Sequence, residues 1–151
     1  MKKLLSLLNI VLLSLGLMST GSCKSHKQAA SNATQLEFNA NEVWVLNAIN
    51  GKRVKYLDGQ KPATIVLNPE AGTCSGSNGC NRFFGNFKDF GQGKMLLSDI
   101  SSTKMACPEA FHKLESSFMQ LLRKCDAYTL DAYTLDLKQG DKVLLSFDKE
   151  Q

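Results

Sequence analysis

The chain from Glu42 sets Val43, Val45 and Ile49 on one parity and Trp44, Leu46 and Ala48 on the other, then reaches Asn50-Gly51. That pattern predicts a strand closed by a hairpin turn. Further strands are expected over Ala63 to Asn68 after Pro62, on both sides of Asn78-Gly79, and over Met95 to Ser101 beyond the Gly91 and Gly93 breaks. After Cys107 the period changes. Pro108 suits a first helical position, Glu109 suits the positive helix start, and Phe111, Leu114, Phe118, Leu121, Leu122 and Cys125 recur at spacings of three and four. One amphipathic helix over about 108–124 is expected.

The next stretch, DAYTLDAYTLD, repeats with a period of five. An odd period would turn Tyr128 and Tyr133 to opposite faces of one strand, and two copies are too few for a solenoid. Two short strands with a turn near Asp131-Ala132 fit better, and Gln139-Gly140-Asp141 then leads into a closing strand over Lys142 to Phe147. The sum is about eight strands in hairpin order with one late helix, an antiparallel α+β arrangement with the helix packed on one sheet face.

The beginning of the chain is of a different kind. Lys2 and Lys3 precede an apolar run from Leu4 to Met18, and the small residues Ser19 to Ser22 lead into Cys23. This is the pattern of a secretory signal over 1–22, and small residues running directly into a cysteine resemble a bacterial lipobox that acylates Cys23. An ordinary cleaved signal with an incidental cysteine is the alternative. More than one acyl chain, at about 0.8 kcal/mol per buried CH₂, gives a stable membrane anchor. Residues 23–40 then read as the lipidated cysteine and a polar tether whose coil reaches roughly 20 to 25 Å, and 41–151 as one domain with one core.

Charge narrows the partners. The whole chain carries 18 Lys+Arg against 14 Asp+Glu, and loss of Lys2 and Lys3 with the signal leaves 16 against 14. So slight an excess gives no footprint for nucleic acid.

The stretch GTCSGSNGCNRFFGNF, 72–87, holds Cys74 and Cys80. With Asn78-Gly79 as a two-residue turn, Cys74 pairs with Phe83 and Ser77 with Cys80, and the two thiols face opposite sides about 10 Å apart. A disulfide needs α-carbons within about 7 Å. These two cysteines therefore need partners elsewhere, in Cys107 before the helix or Cys125 on its apolar stripe. An oxidising compartment favours two bridges. Cys74 shares the phenylalanine face that the helix should cover, so Cys74 with Cys125 and Cys80 with Cys107 is the consistent pairing. Two alternatives stand beside it: Cys74 and Cys125 as buried free thiols, and a zinc site built from Cys80, Cys107 and His112. A Cys107/His112 dyad is disfavoured because five helical positions turn about 500° and leave the side chains about 140° apart. No Cys-x-x-Cys and no phosphate-binding Gly-Lys-Ser/Thr is present.

Trp44-Val45-Leu46, Ile49-Asn50-Gly51, Gly79-Cys80-Asn81-Arg82-Phe83 with Gly85 and Phe87, and Ser102-Thr103-Lys104-Met105-Ala106-Cys107 follow in order before the helix and a Tyr/Leu strand pair. This set resembles the META domain family, the HslJ-type heat-shock lipoproteins, over about residues 42–148. The resemblance implies a cracked, incompletely closed antiparallel barrel with a helix across it, similar in outline to secretion pilotins. It further implies an envelope lipoprotein linked to stress or antibiotic tolerance, with no established catalytic activity. Cys80 and Cys107 match the family's two motif cysteines, which supports pairing them.

The functional expectation is a non-enzymatic binding or assembly module, monomeric, anchored by Cys23 on the outer membrane and facing the periplasm. It would hold an envelope protein, a peptide or a lipid, with no catalytic residues, no metal and no cofactor. Asn81, Arg82, Thr103 and Lys104 are the expected exposed contact residues, although turn and surface roles are commoner for each type. An enzyme or inhibitor acting on an envelope substrate, and a cysteine-based metal or redox sensor, are the competing classes.

Overall fold

In a computed structural model the described residues are 38, 39 and 42–151. The expected leader, Cys23 and most of the tether lie outside them. Strands form where the alternation predicts: β1 is Trp44–Ile49, β2 the two-residue Lys52–Arg53, β3 Ala63–Asn68 and β4 Thr73–Asn78. β5 spans Arg82–Gly91 and β6 spans Lys94–Ser102. A 3-10 turn, Glu109–Phe111, precedes the helix α1, His112–Leu122. β7 (Ala127–Leu130), β8 (Thr134–Gln139) and β9 (Lys142–Lys149) complete the chain.

All pairings are antiparallel, and the order β1-β3-β4-β5-β6-β7-β8-β9 returns to its start because β1 also pairs with β9. β2 hangs on β1 outside this ring, so eight of the nine strands among the described residues make a closed barrel. The expected crack is therefore absent. Its nearest counterpart is the β6–β7 seam, where the ladder holds the single pair Lys94↔Ala127. Two flanking backbone bonds, Met95 N to Asp126 O at 3.0 Å and Tyr128 N to Gly93 O at 2.7 Å, carry the closure past that pair. Rings reinforce it: Phe90 of β5 stacks on Tyr128 of β7 at 5.1 Å, and Phe38, assigned by sequence to the tether, packs edge-on against both.

The helix does not lie on an outer sheet face. Phe118 meets Phe83 of β5 at 5.4 Å and Phe147 of β9 at 6.2 Å. β5 and β9 stand four steps apart in a ring of eight, on opposite walls, so a residue touching both is inside the barrel. Phe118 and Leu122 thus plug the core with Trp44, Leu46, Ile65, Leu67, Met95, Leu135, Leu137 and Leu145. Burial of each large side chain contributes about 1.5–3 kcal/mol.

The β4–β5 hairpin departs from the expected register by two residues. Ser77 pairs with Arg82 and Cys74 with Gly85, leaving a four-residue turn over 78–81. A shift of two preserves parity, so Cys74 still faces inward with Phe83 and Cys80 is free to meet the helix entrance. Cys80 and Cys107 are bridged, with α-carbons 6.2 Å apart.

The Cys74–Cys125 bridge is not formed; both are buried free thiols. Cys74 lies on β4 with its sulfur over Gly85. Cys125 leads into β7, three strands further round the ring, and its thiol donates to the Leu121 carbonyl at 3.3 Å. Facing inward is not enough for a bridge when the two thiols belong to different walls.

Candidate functional site

Two features stand out, a polar clamp and an open groove. The clamp is built on the turn after β4. Asn78 accepts from the backbone N–H groups of Cys80 (3.3 Å) and Asn81 (2.8 Å), fixing the turn, while Gly79 takes φ +100°, where glycine is favoured. Asn81 is 3% exposed. Its amide nitrogen donates to Glu115 Oε1 at 2.8 Å and to Cys107 Sγ at 3.4 Å. Its carbonyl oxygen accepts from Thr103 Oγ1 at 2.9 Å and from Met105 N at 2.7 Å. Asn78 Nδ2 reaches the same Glu115 oxygen at 3.2 Å. One amide thus ties the hairpin, the strand-to-helix crossing and the helix together beside the disulfide.

This corrects the expectation for Asn81, which is a buried joint rather than an exposed contact. Its motif neighbours divide accordingly. Arg82, Thr103 and Lys104 are exposed, and Thr103 is also tied inward, donating its N–H to Arg82 O at 2.9 Å and accepting from Arg82 N at 3.1 Å. The zinc alternative fails because the sulfurs of Cys80 and Cys107 are bonded to each other, and His112 sits exposed on the helix. Among the described residues no cluster of three or more His, Cys, Asp or Glu gathers to hold a metal.

Burial pushes the Cys74 and Cys125 thiols up to about 12, by desolvation first; a Gly85 backbone bond opposes the shift at Cys74, and Asp126 adds to it at Cys125. Buried thiols held protonated in this way are poor nucleophiles at neutral pH.

The groove lies between β2 with its following loop and the first half of α1. It encloses about 610 Å³, within the range of about 300–1,000 Å³ usual for ligand pockets. Ile49, Val54, Leu57 and Leu114 supply its apolar lining, and Lys52, Arg53, Lys55 and Lys113 its charge. The loop is held firmly: Tyr56 OH donates to Leu46 O at 2.7 Å and accepts from Ala63 N at 3.3 Å, while burial raises the Tyr56 pKa. Gln60 closes the turn by accepting from Leu57 N at 3.1 Å and donating its own N–H to Leu57 O at 3.0 Å. Leu57 is thereby held 47% exposed. The sequence signal for this site is the run Lys52-Arg53-Val54-Lys55-Tyr56-Leu57, cations interleaved with apolar residues after a hairpin turn.

A closed antiparallel barrel plugged by one helix and stapled at the helix entrance defines the structural class. The chain belongs to the META domain family, whose model matches residues 27–151. Two solved structures share the fold. An NMR structure of a protein from Burkholderia xenovorans is 24% identical, with TM-score 0.57 over 83% of this chain and 98% of the other. A second NMR structure is 26% identical, with TM-score 0.53 over 72% of this chain and 89% of the other. No curated protein matches the chain in sequence.

Proposed function

We propose that the chain is a lipid-anchored bacterial envelope protein whose META domain is a monomeric, non-enzymatic binding or assembly module, set on the outer membrane facing the periplasm. The observation that carries this reading is the groove between β2 and α1, where a firmly held loop presents Leu57 to solvent in a groove also lined by four cations. An exposed apolar patch rimmed by polar groups marks an interaction site. The signal-like 1–22 and Cys23 support the anchor, and the Cys80–Cys107 bridge suits an oxidising compartment. The link to envelope stress or antibiotic tolerance rests on the family resemblance.

The test is site-specific photo-crosslinking in membranes of the native host. A crosslinker at position 57 should give a discrete adduct, whereas one at Tyr133, 75% exposed and on a distant turn, should not. No adduct from position 57 would remove the groove as a binding site.

A further inference from the structure

The groove has a charge imbalance that its fold does not explain. Among the described residues, Lys52, Arg53, Lys55 and Lys113 line it and no carboxylate does. Among the described residues the ion pair is Lys149 with Glu42, so none of these four cations is matched by a carboxylate. Four neighbouring like charges repel one another, and an anionic partner removes that cost. Asp58 is near in sequence but stays outside the lining.

Two further observations describe the partner's shape. β2 is the end strand of the sheet order, so among the described residues no strand lies on its outer side, and an extended chain can add there. Gln60, 9% exposed in the groove wall, spends its Oε1 on Leu57 N and leaves Nε2 buried without an acceptor near Gly79. A buried donor left unmet costs about 1–3 kcal/mol, a cost that a carbonyl brought to the groove wall would offset.

We propose that this groove takes an extended, acidic peptide segment of a partner protein, with apolar side chains on the floor, carboxylates on the four cations and its backbone beside β2. The proposal rests on the reading of the domain as a binding module and names its ligand class. The chain's own tether does not fit: residues 24–37 carry Lys24 and Lys27 against Glu37, with Leu36 the one large apolar side chain. A second copy placed groove to groove would set cations against cations.

The test uses the mature chain with Cys23→Ser and, as probe, an array of short synthetic peptides of random sequence. The bound set should be enriched in Asp and Glu alternating with apolar residues, and added salt should weaken it. The exposed double variant Lys52→Glu/Lys113→Glu should lower affinity for the bound acidic peptides about tenfold or more. Leu57→Ser should lower it without changing the charge, and both variants should melt like the parent. Absence of acidic enrichment, equal binding by the double variant, or no peptide binding would overturn the proposal. Binding of phosphatidylglycerol vesicles in place of peptides would assign the groove to a lipid surface instead. If peptides fail while position 57 still crosslinks in membranes, the peptide class falls and the binding module stands; loss of both removes both.

Discussion

The Asn81 amide donates to Glu115 Oε1 across 2.8 Å and thereby fastens the turn after β4 to the helix that plugs the barrel. Removing it in Asn81→Ala leaves Met105 N and the Thr103 hydroxyl without their acceptor, and a loss of about 2–4 kcal/mol is expected in denaturant unfolding. Asn81→Asp is the sharper experiment. It keeps the acceptor for Thr103 and Met105 but sets a second carboxylate against Glu115. Its stability should recover as pH falls toward 4, a trend Asn81→Ala should lack.

The Cys80–Cys107 bridge closes a separation of 27 residues. On chain-entropy grounds it contributes about 3–4 kcal/mol. Cys80→Ser and Cys107→Ser should destabilise by similar amounts, and the double variant should be little worse than either, since all remove one bond. Reductant should lower the melting temperature of the parent, whereas a chelator should leave it unchanged.

How much of this was legible in the sequence follows from how local each signal is. Strand β3 and the β1 hairpin were readable because alternation and the Asn50-Gly51 turn, with φ of 48° and 74°, are encoded by neighbours. The β4–β5 turn differs from the sequence expectation because Asn78-Gly79 reads locally as a two-residue turn, whereas the longer turn is set by the bond of Asn81 to Glu115, a residue 34 positions away. The second bridge differs for a related reason: parity assigns Cys74 to the inside but does not tell which wall Cys125 reaches. Closure of the barrel depends on β1 meeting β9, a pairing with no local signature. The groove was hidden because its charge and its apolar floor come from β2, a loop and the helix.

Buried Cys74 and Cys125 tie stability to alkaline pH. Their folded pKa is raised to about 12 from an ordinary value of 9.0, so above pH 9 the unfolded chain releases protons that the folded chain keeps. Their contribution is complete below pH 9 and lost between pH 9 and 12, with a slope of up to about 1.4 kcal/mol per pH unit for each thiol. Denaturation midpoints across that range test this. Iodoacetamide at pH 8 should label neither thiol in the folded protein and both after unfolding.

Gly76 is fixed by the β3–β4 contact. An added β-carbon would stand 2.0 Å from the Thr64 carbonyl oxygen, so the ladder itself would have to move. Gly76→Ala should therefore destabilise far more than the ordinary effect of about 1 kcal/mol for a point substitution, and hydrogen exchange should quicken along β3 and β4 first.

The anchor is tested at Cys23. Cys23→Ser should move the protein from the detergent phase to the aqueous phase in a phase-partition measurement, and unchanged partition would argue against lipidation.

The clamp holds the fold, and in the proposed function the cationic groove meets the partner. The most direct measurement is complementation under envelope stress in a strain lacking the chain, comparing the parent with Lys52→Glu/Lys113→Glu at equal abundance and equal melting temperature. The double variant, folded and anchored, is expected to fail to restore stress or antibiotic tolerance. Full restoration by that variant would contradict it.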